Sequence, residues 1–280
     1  MDGKICLVTG GTFGIGKATA AGLVKLGAKV VIVGRNSQRG KMALTEIKAQ
    51  SGKGEIEFIA VDLSSQITLR QFASAFNEKY PRLDVLVNNA GGLFFKRQLN
   101  QDGIEMTLAL NTLAPFLLTH LLLDQLKAST PARVVNVSSE AQRAGSLDFS
   151  NLQGEKRYLN FQAYGRCKLA LTTLSYEMAR RLEGTGVTVN ALHPGGVATG
   201  FGQGDSRLLM ALFKLAKPFL LTPEQGAETS LYLASSPQLE GVTGKYFIKK
   251  AEATSPAQSY DRAVTQRLWK LCEELTHLPA

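Results

Sequence analysis

Cysteine is scarce in this chain. Three occur in 280 residues, Cys6, Cys167 and Cys272, with no Cys-x-x-Cys pair and no histidine at ligand spacing. Neither a disulfide framework nor a zinc site is expected, and a reducing compartment is. Histidine is equally sparse: His120, His193 and His277 are scattered and form no catalytic set, and no metal is expected. Long apolar runs are missing too. The longest, LLMALFKLAKPFLL at 208–221, is interrupted by Lys214, Lys217 and Pro218 and is too short to span a bilayer. The start, MDGKICLVTG, has no basic stretch leading into a long apolar core, so no signal peptide is expected and a cytoplasmic location is. Linkers, repeats and low-complexity tracts are absent. The sequon Asn136-Val137-Ser138 lies within an apolar strand pattern and is discounted.

What is present is a basic, core-forming chain. Hydrophobic residues make up 44%, enough for one large domain, expected to span 1–280. The formal net charge is +9, but Lys and Arg are spread along the chain without an aromatic-interleaved cluster. That distribution predicts a basic solvated surface and no nucleic-acid partner.

Apolar runs at 4–10, 29–34, 56–62, 83–91, 132–139, 187–195 and 244–248 read as strands and their turns. Helical patterns fall between them, near 15–26, 37–50, 65–79, 103–128, 158–183 and 223–234. A helical extension is expected over 259–277. The fold class is therefore α/β, a doubly wound, mostly parallel seven-stranded sheet with helices on both faces, that is, a Rossmann fold. In such sheets ligands sit outside the carboxyl ends of the strands. The residues that stand out fall there: Gly10, Arg35, Asp62, Asn88 to Gly91, Ser138 and Ser139, and Pro194 with Gly195.

The first turn, TGGTFGIGK at 9–17, can bring backbone N–H groups and a helix N-terminus against a phosphate. Gly11-x-x-x-x-Gly16-Lys17 also has the spacing of a nucleoside-triphosphate loop. There a magnesium-binding Ser or Thr should follow, and Ala18 stands instead. The spacing of Gly10, Gly14 and Gly16 also has one residue more between its first two glycines than the usual dinucleotide fingerprint. Further along, Tyr164 and Lys168 stand four apart in a helix, which puts both on one face.

Taken together, Thr9-Gly10-x-x-x-Gly14-Ile15-Gly16, Asn88-Asn89-Ala90-Gly91, Asn111, Ser139 and Tyr164-x-x-x-Lys168 resemble the short-chain dehydrogenases/reductases. NLQGEKRY (151–158), LTPEQGAETSLYLA (221–234) and TGKYF (243–247) are similar to the retinol-dehydrogenase-like branch. The resemblance covers roughly residues 3–275. It implies transfer of a hydride between a nicotinamide and a carbonyl or alcohol. It implies four catalytic residues: Tyr164 as acid–base, Lys168 holding the nicotinamide ribose, Ser139 donating to the substrate oxygen, and Asn111 holding a relay water. It implies that the cofactor lies along Gly10, Gly11, Thr12, Phe13, Gly14, Ile15 and Gly16. Arg35 and Asn36 would follow, then Asp62 and Leu63 at the adenine, and Asn89, Ala90 and Gly91 at its ribose. Pro194, Gly195, Val197 and Thr199 would complete the cofactor site. Asp62 has a second reading as a helix N-cap.

A phenol of pKa about 10 needs roughly 4 kcal/mol to titrate near neutrality. A cation about 5 Å away at an effective dielectric near 20 supplies roughly 3 kcal/mol, so Lys168 is expected to lower Tyr164. The cofactor is expected to be NADP(H). The stretch 29–41, KVVIVGRNSQRGK, contains no Asp or Glu to accept from a ribose 2′-hydroxyl, and Arg35 follows the strand where a 2′-phosphate would sit. The segment 200–221 occupies the lid position. Its apolar residues predict a small apolar carbonyl or alcohol substrate, with peripheral membrane contact as a second use. A homodimer through the helix 158–183 is also expected. The rival class is a non-catalytic dinucleotide-binding regulatory protein.

Overall fold

The computed structural model describes residues 1–50, 54–197 and 220–278. Seven strands pair in parallel: β1 (Ile5–Thr9), β2 (Lys29–Gly34), β3 (Glu55–Ala60), β4 (Val85–Asn88), β5 (Ala132–Val137), β6 (Val187–His193) and β7 (Tyr246–Ile248). An eighth, β8 (Ala251–Ala253), runs antiparallel to β7 at the edge. It is three residues long and largely exposed, so it has no apolar run to announce it. The order is β3-β2-β1-β4-β5-β6-β7-β8, which makes the sheet doubly wound. Strand order reverses between β1 and β4, where Val8 is in register with Val87. A crevice opens outside the carboxyl ends at that point.

Two apolar layers sandwich the sheet. On one side α1 (Gly14–Lys25), α2 (Ser37–Gln50) and α8 (Pro223–Ser235) bury Leu23, Val24, Ile47 and Leu233 against Val8, Val30 and Ile32. On the other, α3 (Gln66–Lys79), α5 (Ala114–Leu121), α7 (Asn160–Arg181) and α9 (Arg262–Thr276) bury Phe76, Phe116, Leu169 and Trp269 against Leu7, Leu86 and Val134. Each such side chain contributes roughly 1.5–3 kcal/mol by leaving water. The helix α9 shares the second core, so the extension expected over 259–277 packs as part of it.

One expectation needs correction. The single helix over 103–128 is broken into α4 (Met106–Leu108), a π-helical turn (Ala109–Leu113), α5 and α6 (Leu123–Lys127). Pro115 has no N–H for the ordinary i→i−4 bond, and just before it Ala114 N donates to Ala109 O five residues back. In the helix expected to serve a dimer, α7, every residue from Ala163 to Ser175 is buried within the chain itself.

Candidate functional site

The floor of the crevice is the β1–α1 turn. Gly10 and Gly14 take φ of +65° and +55°, left-handed values that favour glycine. A Cβ on Gly10 would also lie 3.0 Å from Ala90 Cα, so β1 and β4 loops can meet only over a glycine. Asn89 secures that meeting. Its side-chain N–H donates to Thr9 O at 2.9 Å, and its backbone N–H donates to Thr9 Oγ1 at 2.9 Å. The N-cap of α1 is Phe13, which makes no side-chain capping bond, and the first turn holds no acid. The first N–H groups of a twelve-residue helix therefore face the crevice with its positive dipole end. This glycine cradle and uncapped helix end fit a pyrophosphate.

The far end of the crevice is built by β5 and α7. Tyr164 and Lys168 are both buried, at 8% and 3% exposure, one helical turn apart. The Lys168 ammonium lies 5.7 Å from the Tyr164 ring centroid and donates to Val137 O at 2.8 Å. Ser139 follows β5 and shares a hydrogen bond with the Tyr164 hydroxyl. Its Oγ also accepts from Ala141 N at 3.2 Å, as the N-cap of the short 3-10 helix Glu140–Ala144. The hydroxyl of Ser138 is directed elsewhere. It donates to Lys168 O at 2.9 Å and accepts from Thr172 Oγ1 at 2.9 Å.

Electrostatics here reverse one expectation. Burial pushes the Tyr164 phenol above its ordinary value, and the bond with Ser139 pulls against that. Burial also pulls Lys168 down to about 8. Desolvation acts on both partners and disfavours both charged forms, which the Coulomb argument from spacing leaves out.

A cavity of about 550 Å³ runs between the two ends. Its walls include Gly10, Thr12, Phe13, Gly14, Ile15 and Gly16, then Arg35, Asn36, Asp62 and Leu63. Asn89, Ala90 and Gly91, with Ser139, Tyr164 and Lys168, and Pro194, Gly195 and Val197, complete that set. Asp62 is not a helix N-cap. Its carboxylate accepts from Ser64 N at 3.0 Å and Ser64 Oγ at 2.7 Å, and Ser65 caps α3.

Two expected residues lie behind the wall. A Cβ on Gly11 would stand 2.6 Å from Ile32 Cγ2, so this glycine serves the packing of loop on sheet. Asn111 is fully buried in the π-helical turn. Its Nδ2 donates to Thr107 O and Gly92 O at 2.8 Å each, and its Oδ1 accepts from Gly92 N at 3.1 Å. The amide thereby ties the helix to the β4 loop beside Gly91. Thr199 and most of the expected lid lie outside the described residues; Leu220 and Leu221 are within them, and Leu220 lines the cavity.

Sequence reasoning missed an apolar group on the cavity wall, comprising Leu93, Phe94, Met106, Leu110 and Phe161. The dense apolar residues of 92–95 were the available signal. Arg39 lines the cavity with its guanidinium 5.1 Å from the Phe13 ring centroid, and Asn36 Oδ1 accepts from its backbone N–H at 2.8 Å. Neither Arg35 nor Arg39 forms an ion pair among the described residues. Among those residues no group of His, Cys, Asp and Glu could hold a metal ion, and no helix is long and apolar enough to cross a membrane.

Comparison with known proteins agrees with this geometry. The short chain dehydrogenase family matches residues 4–207. Human retinol dehydrogenase 14 is 41% identical over 294 residues, covering 99% of this chain and 88% of that protein. Mouse retinol dehydrogenase 12 is 41% identical over 275 residues, covering 98% and 87%. Among solved structures, the Pseudomonas aeruginosa RhlG/NADP active-site complex is 30% identical with a TM-score of 0.69, covering 88% of this chain and 94% of that one. The chain therefore belongs to the short chain dehydrogenase family, on its retinol-dehydrogenase-like branch, and is an oxidoreductase of alcohol and carbonyl groups that uses a nicotinamide dinucleotide.

Proposed function

We propose that the protein interconverts an apolar aldehyde or ketone and its alcohol with NADP(H). The observation that carries this reading is the cavity that joins Ser139, Tyr164 and Lys168 at one end to two guanidinium groups, Arg35 and Arg39, that have no carboxylate partner among the described residues, at the other. The nicotinamide, when bound, supplies or accepts the hydride. The chain's own residues do the rest. The uncapped α1 end and the Gly10–Gly16 loop hold the pyrophosphate, and Arg35 meets the 2′-phosphate. Asn36, Asp62, Leu63, Asn89, Ala90 and Gly91 line the adenosine half, and Pro194, Gly195 and Val197 the nicotinamide half. Lys168 binds the nicotinamide ribose. Ser139 donates to the substrate oxygen, and Tyr164 passes its hydroxyl proton to that oxygen during reduction. A phenol held above its ordinary value is protonated at neutral pH, which suits the acid in that direction. Asn111 acts by holding the β4 loop, and by keeping the relay water in place.

The substrate class is supported by Leu93, Phe94, Leu110 and Phe161, apolar residues of the cavity that Tyr164 also lines. A single domain over 1–280 and a cytoplasmic location belong to the same reading. The shared core of α7 and α9 supports the first, and three buried free thiols support the second. A dimer and a membrane contact are retained as readings that sizing and vesicle flotation test; the dimer would need a surface other than the middle of α7. The experiment for the activity is NADPH oxidation with a panel of carbonyl compounds of increasing chain length. Turnover that rises with apolar length supports the reading, and no turnover with any carbonyl, despite dinucleotide binding, returns the protein to the regulatory class.

A further inference from the structure

We infer that His193 is a positioning residue for the Ser139 hydroxyl and acts through the backbone of Glu140. The inference rests on the reading of Ser139 given above. His193 is the last residue of β6 and does not line the cavity. Its Nδ1 accepts a hydrogen bond from Glu140 N at 3.2 Å. That N–H belongs to the peptide joining Ser139 to Glu140, so the bond fixes the plane on which the Ser139 side chain is mounted.

The neighbouring bonds show why an imidazole is wanted there. The β5–β6 ladder ends with Ser138 N donating to Leu192 O at 2.7 Å. The next donor on that side of β5 is two residues on, at Glu140. There the chain turns into the 3-10 helix Glu140–Ala144, and the imidazole accepts in place of a strand carbonyl. The Glu140 carboxylate is pinned as well. It accepts from Arg143 Nε at 2.6 Å and Tyr246 Oη at 3.0 Å, and Arg143 Nη2 donates to Thr254 O at 2.8 Å. Ser139 is thus suspended from β6, β7 and the segment after β8.

An Nδ1 that accepts must be unprotonated, so the ring is neutral with its proton on Nε2. Protonation would set an N–H against an N–H and release the loop. The charged and titratable group facing the ring is the Glu140 carboxylate, with its partners Arg143 and Tyr246. Beyond β7 lies Lys250, paired with Glu228 of α8. Burial holds His193 below its ordinary 6.5, and Glu140 acts in the opposite sense. The bond is therefore intact at neutral pH and lost on acidification.

The test is decanal reduction with NADPH, measured with the wild type, His193→Leu, His193→Asn and Ser139→Ala. Leu has no acceptor, whereas Asn Oδ1 can take the place of Nδ1. The expected result is a kcat about three- to tenfold lower in His193→Leu, the effect of one lost hydrogen bond, with the Kd for NADPH unchanged. His193→Asn should recover most of the loss. Reduction needs Tyr164 protonated, so the phenol limits activity only at high pH. An acid limb in the wild type that is absent in His193→Asn supports the inference. Equal kcat in the Leu variant and the wild type, or an unchanged acid limb in the Asn variant, overturns it. If His193→Leu does not fold, the wild-type and Asn pH profiles decide alone. Full activity in Ser139→Ala would instead overturn the site reading itself.

Discussion

Lys168 stacks its ammonium over the face of the Tyr164 ring, 5.7 Å from the centroid, while giving a hydrogen to Val137 O at 2.8 Å. The spacing of four residues brings the pair together, but the ring face and the strand carbonyl both engage the cation. Lys168 is thus held by a π-system and a peptide, and Tyr164 by Ser139. Both side chains are buried. Tyr164→Phe should keep cofactor affinity and lose about two to four powers of ten in kcat, the range of a positioned acid. Stopped-flow NADPH oxidation checks this, and a variant with more than a tenth of the wild-type rate would remove Tyr164 from the acid role.

Lys168 should be a destabilising residue kept for function. Its value falls from 10.5 to about 8 by burial, so the native state disfavours the ammonium. The cost is present below about pH 8 and disappears as pH rises towards 10.5, because the native state then binds no proton that it must desolvate. Lys168→Met should therefore leave the ligand-free protein at least as stable at neutral pH, by up to about 3 kcal/mol, while activity collapses. Urea unfolding gives the answer; a Met variant clearly weaker than the wild type would mean that the Val137 bond outweighs burial.

Arg35 and Arg39 should divide the selectivity for the 2′-phosphate unequally. Arg35 sits just past β2 on the cavity wall, and Arg39 is held over Phe13. Arg35→Asp should erase a preference for NADPH over NADH of about 10- to 150-fold, the equivalent of roughly 1.5–3 kcal/mol for a charged hydrogen bond. Arg39→Gln should reduce it less. Fluorescence titration at fixed salt measures both ratios. Equal Kd values for NADPH and NADH in the unmodified protein would end the NADP(H) reading.

Asp84 lies at the opposite end of the sheet and should affect stability alone. Its buried carboxylate accepts from Ile5 N and Lys4 Nζ at 2.8 Å each. Burial tends to raise it, but the bonds from Lys4 and Ile5 prevail and hold it below the ordinary 3.8. A lowered acid stabilises the fold above the unfolded value, and that contribution fades as pH falls through the folded one. Asp84→Asn should cost about 2 kcal/mol at neutral pH with kcat unchanged. The gap from the wild type should persist to about pH 5 and narrow only below 3.8. A gap that has already closed by about pH 5 would contradict the sign of the shift.

Trp269 anchors α9. Its ring meets Phe116 edge-on at 5.0 Å, and the Arg181 guanidinium lies 4.0 Å from its centroid. Trp269→Ala should lower stability by roughly 3–5 kcal/mol without changing kcat per folded molecule. An unfolding transition split in two would instead mark α9 as a separate unit.

Most of the scaffold could be read from the chain because buried parallel strands are apolar on both faces. Runs such as KVVIVG and ARVVNV admit little else, and the glycine turn after β1 follows from its spacing. Three features resisted for physical reasons. β8 is held by its pairing with β7 rather than by composition. The π-turn at 109–113 is a backbone event; Pro115 within the expected helix was its one signal. The upward shift of Tyr164 depends on burial, which spacing along a helix does not report. Of the site, Ser139, Tyr164, Lys168 and the β1 loop were legible as a resemblance. The support of Ser139 by His193 was not, since 53 residues separate His193 from Glu140.

That suspension orders the making of the site in time. The β1 loop and the β4 loop that Asn89 ties to it leave the ribosome early. Glu140 must wait for Tyr246, 106 residues later, and Arg143 for Thr254, 111 residues later. A nascent chain thus carries the floor of its crevice before the contacts that hold Ser139 exist.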